Sequence, residues 1–306
     1  MNREEKTPLV SAIITAYNNE ATIGPAIESF RNQTFTDREI IVVDDGSSDG
    51  TRRAITYYGE AVRLIGQENG GSARARNTGI RSARGRYVAF LDGDDVALPD
   101  RLGRQVAALE ARPEAGLVYG NIFLMDARGR NLRLRRGTGR YKSGRVTREL
   151  VVRNFVPFST IMVRRELLME AGLFDESIRS SEDWDLLVRL SRGCQFLYLD
   201  QPLACYRVLP TSKSANLGEK ERAYEAVQNK IFAENNFGAD TKRLRRLSDA
   251  SLQFGLLSIC LRYGKYGKSL RYLLRALAIA PAAVFHLRSE IASRFFTPWF
   301  GAWGEK

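Results

Sequence analysis

In the N-terminal third of the chain, short apolar runs alternate with stretches of helical spacing, and each run stops at a cluster of small, amide or acidic residues. Their β-branched and aromatic content predicts strands over 9–16, 39–43, 61–65 and 87–91. Apolar residues three and four apart, such as Ile23, Ile27 and Phe30, predict helices over 21–32 and 72–84, and Ser48 or Asp49 is placed to cap the helix after the second strand. Strand and helix alternating in this way imply an α/β fold with a mostly parallel sheet, covered by helices on both faces. Ligands of such sheets bind just outside the carboxyl ends of the strands, so the residues that end the runs carry the functional information.

The most acidic of these ends is Asp92-Gly93-Asp94-Asp95, directly behind Tyr87-Val88-Ala89-Phe90-Leu91. Carboxylates crowded at one strand end repel one another, and a hard cation among them relieves that repulsion. Oxygen ligands suit Mg2+ or Mn2+, with water and substrate phosphates completing the shell. The competing reading is a solvated turn that caps the next helix, and the rest of the chain decides between them.

The 306 residues suffice for one large core or two smaller domains. Lys and Arg number 47 against 35 Asp and Glu, and a net charge of +12 favours polyanionic partners: nucleic acid, anionic lipid or phosphorylated substrates. The acids cluster, as in Asp44-Asp45 and Glu182-Asp183, which suits a metal–phosphate site better than a DNA-binding surface. The one histidine, His286, lies far from every acidic cluster, which disfavours paired-histidine zinc sites and Ser-His-Asp triads. Cys194, Cys205 and Cys260 have no Cys-x-x-Cys spacing, which argues against a disulfide framework and fits a reducing cytoplasm. The charged N-terminus lacks the apolar core of a signal peptide. The apolar stretch 276–285 is broken by Pro281 and falls far short of the ~20 residues that span a bilayer. The expectation is a cytoplasmic protein, soluble or peripheral at the inner face of the membrane.

Further along, a helix is expected from Pro99 to Ala111 and strands over 116–124, 158–163 and 195–199, with helices over 165–171 and 182–190. The segment 126–145 interleaves glycines with Arg128, Arg130, Arg133, Arg135, Arg136, Arg140, Lys142 and Arg145, which reads as a mobile loop or exposed hairpin. From residue 216 strand signals stop and the pattern turns helical, basic and apolar. Two domains are expected, 1–215 and 216–306.

The strand-end motifs have to be explained together. In order they are Thr15-Ala16-Tyr17-Asn18-Asn19-Glu20, then Asp44-Asp45-Gly46-Ser47-Ser48-Asp49-Gly50, then Glu68-Asn69-Gly70-Gly71 leading to Arg76-Asn77-Thr78-Gly79, and then the acidic quartet. Gly172-Leu173-Phe174-Asp175-Glu176 and Ser181-Glu182-Asp183-Trp184-Asp185 follow. In this order and spacing, from Pro8 to Tyr206, they resemble the family 2 glycosyltransferases, inverting enzymes of the GT-A fold. The resemblance implies a metal-dependent transfer of a sugar from a nucleotide-sugar, a UDP-sugar above all, to the hydroxyl of a carbohydrate or lipid-linked acceptor in surface polysaccharide or glycolipid synthesis.

Residue chemistry is compatible with those roles. Tyr17 offers a ring for base stacking, worth ~1–3 kcal/mol, and Asp44 or Asp45 an acceptor for the uracil imide N–H. Glu20 matches a ribose contact, or a helix-start acid favoured by the dipole. Gly70 and Gly71 permit close backbone approach, and Arg76 beside them carries a planar fork for base or phosphate, whereas Arg74 matches less well. Thr15, Ala16, Asn69 and Gly93 complete the expected donor contacts. The resemblance makes Asp94 the direct metal ligand and places Asp92, the second ligand, nearer the ribose, with Asp95 reaching the substrate through water or a hydrogen bond. Inverting displacement needs a base opposite the leaving diphosphate, and without a suitable histidine that base is a carboxylate. By resemblance it is Asp183, with Glu182 a neighbouring acceptor contact and Asp185 the spare candidate. Trp184 is counted with the substrate contacts, packing being its other reading.

Rival readings fare worse. Asp45-Gly46-Ser47-Ser48-Asp49-Gly50 resembles a calcium loop, but its twelfth position is Thr56 rather than a bidentate Glu. Gly264 to Ser269 resembles a phosphate loop whose required first glycine is Arg262. No Gly-x-Gly-x-x-Gly follows a strand. A non-catalytic nucleotide-sugar-binding module of the same fold is the alternative, against which stand the intact Asp-x-Asp and Glu182-Asp183; no nucleic acid partner is expected. In the tail, Lys268, Arg271 and Arg275 interleave with Leu270, Leu273, Leu274 and Leu277, ahead of Phe295, Phe296, Trp299, Phe300 and Trp303. That pattern suits either contact with an anionic membrane or packing against the rest of the protein.

Overall fold

The computed structural model describes residues 7–130, 132–135, 142–209, 217–235, 237–262 and 265–281. They divide into two compact units, the first comprising the described residues up to 146 together with 155–209, the second 147–154 and those from 217 onward.

The first unit opens with β1 (Val10–Ala16), whose apolar side chains are buried on both faces, the condition for a strand covered by helices on either side. It continues through α1 (Ile23–Arg31), β2 (Arg38–Asp44), α2 (Thr51–Thr56), β3 (Arg63–Gly66), α3 (Ser72–Ser82) and β4 (Tyr87–Asp92). β1 pairs in parallel with β2 on one side and β4 on the other, and β2 pairs in parallel with β3. The order therefore switches sides between β1 and β4, which opens a crevice at their carboxyl ends.

β5 (Val96–Ala97), α4 (Arg101–Glu110), β6 (Ala115–Met125), β7 (Arg133–Arg135), β8 (Met162–Arg164), α6 (Arg165–Glu170), α7 (Glu182–Gly193) and β9 (Gln195–Arg207) complete this unit; α5 (Thr147–Val152) belongs to the other. The sheet runs β3-β2-β1-β4-β8-β6-β9-β5, with β7 on β6. It is parallel from β3 to β4 and mixed beyond, β8 lying antiparallel to both β4 and β6.

Local chemistry explains the departures from the expected elements. The strand expected over 158–163 is shortened to β8, because Pro157 opens a turn. Its carbonyl accepts from the Thr160 N–H at 3.0 Å and from Thr160 Oγ1 at 2.7 Å, and Phe158–Thr160 form a 3-10 helix. β9 runs well past 199, tolerating Pro202 because the register with β6 shifts on either side of Asn121, where a proline costs no ladder bond. The third strand begins at Arg63, after a 3-10 turn over Gly59–Ala61. In the basic segment, Asp126 Oδ1 accepts from the N–H groups of Arg128 and Arg130, and β7 folds back on β6 as a hairpin. Its residues 131 and 136–141 lie outside the described set.

The second unit is helical, with α5, α8 (Leu217–Glu234), α9 (Thr241–Arg262) and α10 (Tyr266–Ile279). Its core gathers Leu217, Leu252, Phe254, Leu256, Leu257, Cys260, Tyr272 and Ala276. No described helix is long and apolar enough to cross a membrane. His286 and the aromatic residues from Phe295 lie outside the described residues.

Candidate functional site

The loops after β1 and β2 are laced together. Asn18, at φ 52°, donates its N–H to Ser47 Oγ at 3.0 Å and accepts from the Ser48 N–H at 2.9 Å, and the Asn19 N–H donates to Thr51 Oγ1 at 2.7 Å. Glu20 Oε2 accepts from the Gly50 N–H at 3.1 Å, and its Oε1 meets Arg53 at 3.3 Å. Tyr17, held at its N–H by Asn19 Oδ1, presents its ring half-exposed at this edge. The carbonyls of Thr15 and Ala16 are taken by the N–H groups of Gly93 and Asp45, both at 2.9 Å, which draws the ends of β1, β2 and β4 together.

Asp44 and Asp45 are both buried but differently engaged. Asp44 Oδ1 accepts from the Ser47 N–H at 3.1 Å. Asp45 holds the loop after β3: Oδ1 accepts from Gln67 Nε2 at 2.7 Å and the Gly70 N–H at 2.9 Å, and Oδ2 from the Gly71 N–H at 2.8 Å. Asn69 stands exposed at the tip of this loop. Gly46, at φ +73°, lies under it so closely that a Cβ would sit 2.7 Å from the Asn69 nitrogen.

In the acidic quartet the three carboxylates separate by role. Asp95 is fully buried, with one oxygen taken by the Ser159 hydroxyl and the other by the Arg207 N–H at 2.9 Å. Arg207 Nε donates to Asp94 O at 2.7 Å, fastening the quartet to the end of β9. Each Asp95 oxygen thus accepts one protein hydrogen bond away from the surface, which makes Asp95 an anchor of the end of β9. Asp92 Oδ1 takes Arg76 Nη2 at 2.9 Å. That leaves Asp92 Oδ2 without a protein hydrogen bond among the described residues, while the Asp94 carboxylate accepts from its own backbone N–H. Burial and the Asp92 charge push the Asp94 carboxyl up to about 6, and burial with Asp94 and Asp92 raises Asp95 well above the carboxylate range. Negative charge confined in this way is what a divalent cation relieves, so Asp92 and Asp94 fit one. Among the described residues no group of three or more His, Cys, Asp or Glu side chains is placed to hold a metal ion by itself.

Arg76 is 6% exposed and lies between two carboxylates, Asp92 at 2.9 Å and Glu182 at 2.6 Å, with its guanidinium 3.9 Å from the Phe158 ring centre. Burial opposes its charge, but Asp92 and Glu182 more than restore it, and its pKa is raised. Its expected reach to base or phosphate gives way to a structural bridge from the acidic quartet to the start of α7. At that helix start Ser181 is left-handed at φ 64°. Glu182 is taken by Arg76, and Asp185, 1% exposed, pairs with Arg189 at 2.7 Å. Asp183 is the partly exposed acid of the three. Trp184 is corrected from substrate contact to core: its indole is fully buried, as its helical spacing with Leu187 and Val188 requires.

Sequence reasoning missed Ser159 and Arg207 as parts of this constellation, and it quoted Asn77 within a motif without giving it a role. Asn77, Thr78 and Gly79 are three poor helix formers in the middle of α3, a signal that side-chain contacts rather than propensity keep them there.

Residues 11–172 match glycosyl transferase family 2. An uncharacterized glycosyltransferase of Rickettsia prowazekii, RP339, is 30% identical over 219 residues, 71% of this chain and 69% of the relative. The chain is thus a member of glycosyl transferase family 2. Among solved structures, TarS 1–349 of S. aureus in complex with UDP-GlcNAc superposes with a TM-score of 0.58 at 16% identity, over 90% of this chain and 91% of that one. The mannosyltransferase PcManGT of Pyrobaculum calidifontis, in complex with GDP-Man and Mn2+, gives 0.61 at 21% identity, over 95% and 82%. Both likenesses bear on the GT-A fold.

Proposed function

We propose that the crevice between β1 and β4 transfers a sugar from a nucleoside-diphosphate sugar, with inversion, to a carbohydrate or lipid-linked hydroxyl. The observation that carries this reading is the Arg76 bridge, which joins Asp92 at 2.9 Å to Glu182 at 2.6 Å and so sets the oxygen-rich quartet beside the acid-bearing start of α7. The Tyr17 ring stacks on the base, and the Asp44–Asp45 pair accepts its imide N–H, which favours uracil. Asp92 and Asp94 would hold a divalent cation, which when bound would supply positive charge to the departing diphosphate. The Asp183 carboxylate takes the proton of the acceptor hydroxyl as its oxygen bonds to the anomeric carbon. The bond from that carbon to the diphosphate breaks, and the electron pair leaves with the nucleotide. Purified protein given MnCl2 and a panel of UDP- and GDP-sugars is expected to release nucleoside diphosphate, and EDTA to stop it. Absence of release from every donor, with an acceptor panel present, contradicts the reading.

A second observation concerns α10. Tyr266, Leu270 and Leu274 lie one helical turn apart and are 57%, 58% and 57% exposed, and Lys268 and Arg271 are exposed beside them. An apolar stripe bordered by basic side chains suits the surface of an anionic membrane, where a lipid-linked acceptor resides.

A further inference from the structure

We infer that Asn77 is a positioning residue for the carboxylate base, a role that rests on the transferase reading and deepens it. Asn77 is 1% exposed in the middle of α3, and its amide is committed to a single loop. Its Oδ1 accepts from the Phe174 N–H at 2.9 Å, while its Nδ2 donates to Phe174 O at 2.9 Å and to Glu176 Oε1 at 2.8 Å. The loop leads directly into Glu182 and Asp183.

Within that loop Asp175 accepts from the Ser177 and Ile178 N–H groups, and the rest of its shape is fixed from outside. Leu173 and Ser181, near its two ends, are non-glycine residues with φ of 64°. Such conformations are strained for a residue that carries a Cβ and persist only where the surroundings over-determine them. Three groups do so here. Arg189 donates to Ala171 O and, at 2.7 Å, to Leu173 O. The Phe174 ring packs 6.0 Å from the rings of Phe90 and Phe158. Consecutive residues of α3 take the two ends, Asn77 at Phe174 and Arg76 at Glu182. Arg76 also bonds Asp92, so changing it disturbs both halves of the site. The hydrogen bonds of Asn77 go to the loop alone. Its loss releases the approach to Asp183 and leaves the quartet in place, and a shift of ~1 Å in a reacting group is enough to slow a reaction ~100-fold.

The test compares Asn77→Ala with Ser11→Ala. Ser11 is buried and bonds Glu39 Oε1 at 2.6 Å and the Gly85 N–H at 2.8 Å, at the end of β1 remote from the crevice. Both variants lose buried hydrogen bonds, so melting temperature serves as the stability control. The probes are UDP-GlcNAc, UDP-Glc, UDP-Gal and GDP-Man with MnCl2, read as nucleotide released to water, together with calorimetry of UDP and Mn2+ and hydrogen exchange of peptides covering 174–183. Asn77→Ala is expected to slow release at least tenfold, to keep UDP–Mn2+ affinity within twofold and to speed exchange in 174–183. Ser11→Ala is expected to release nucleotide at the unsubstituted rate. Asn77→Asp sets a second carboxylate against Glu176, and adding Glu176→Gln is expected to recover part of the lost rate. Unchanged release in Asn77→Ala, or equal slowing in Ser11→Ala, overturns the positioning role and leaves the transferase reading standing. No release by the unsubstituted protein from any donor overturns that reading, and the positioning role with it.

Discussion

The crevice of the first unit and α10 of the second leave opposite groups unused. Around the crevice nearly every polar side chain is consumed by the fold: Asp45 holds a loop, Asp95 anchors β9, and Arg76 joins Asp92 to Glu182. What is left over is one oxygen of Asp92 and the Asp94 carboxylate, which is held by its own backbone N–H. On α10 Lys268 and Arg271 lie in solvent, and the surface beside them is apolar, Leu270 and Leu274 standing more than half exposed. The contrast teaches that functional surface is better sought in what folding leaves unsatisfied than in the mere presence of a motif. Three acids within four residues point to a site, but the hydrogen bonds decide which of them remain available.

Substitutions in each region test this division. The largest loss of stability is expected for Asp185→Ala. It removes the partner of Arg189, whose guanidinium also holds the carbonyls of Ala171 and Leu173. Breaking a buried pair from one side costs ~3–5 kcal/mol, measurable by urea unfolding. A cost under ~1 kcal/mol makes Asp185 a surface acid and returns it to the list of candidate bases. A smaller effect, ~1–2 kcal/mol, is expected for Gly46→Ala from its left-handed φ of +73°. The added Cβ would also press 2.7 Å from the Asn69 nitrogen. UDP affinity should fall with it, since the glycine loop after β3 must move; unchanged affinity would separate that loop from the donor site. The smallest stability effect is expected on α10, where Leu270→Ser with Leu274→Ser should stay within ~0.5 kcal/mol. Flotation with phosphatidylglycerol vesicles should nevertheless be lost. Flotation that persists unchanged removes the stripe from any membrane contact.

The residues that were legible in the sequence share a local cause. Strands buried on both faces appear as unbroken apolar runs, so β1, β2 and β4 could be read directly. Carboxylates crowded behind one of them could be read as mutually repelling because they are sequence neighbours, and Asp92, Asp94 and Asp95 do lie close enough to raise one another's pKa. What remained hidden depends on distant partners. Arg76 has the chemistry of a phosphate or base contact, and nothing nearby reveals that Asp92, 16 residues on, and Glu182, 106 residues on, enclose it. Asp95 resembles its neighbours in the quartet until Ser159 and the end of β9 arrive to bind it. Trp184 stands between two acids in sequence and turns inward only because a helix alternates its faces. β8 was overextended because Pro157 bends the chain through a turn whose hydroxyl partner, Thr160, also suits a strand. Asn77 was the hidden residue with a local clue, an amide among poor helix formers in the interior of α3.

The division of labour between Asp183 and the acids beside it is the centre of the account. Glu182 and Asp185 are bound to Arg76 and Arg189, and Asp183 is the acid assigned to take the acceptor proton. Nucleotide release from a UDP-sugar panel with Mn2+, measured on Asp183→Asn alongside calorimetric UDP–Mn2+ binding, tests that assignment most directly. The expected result is release slowed ~100-fold or more, the scale of a positioned base, with UDP–Mn2+ affinity retained. Release at the unsubstituted rate in Asp183→Asn would contradict it.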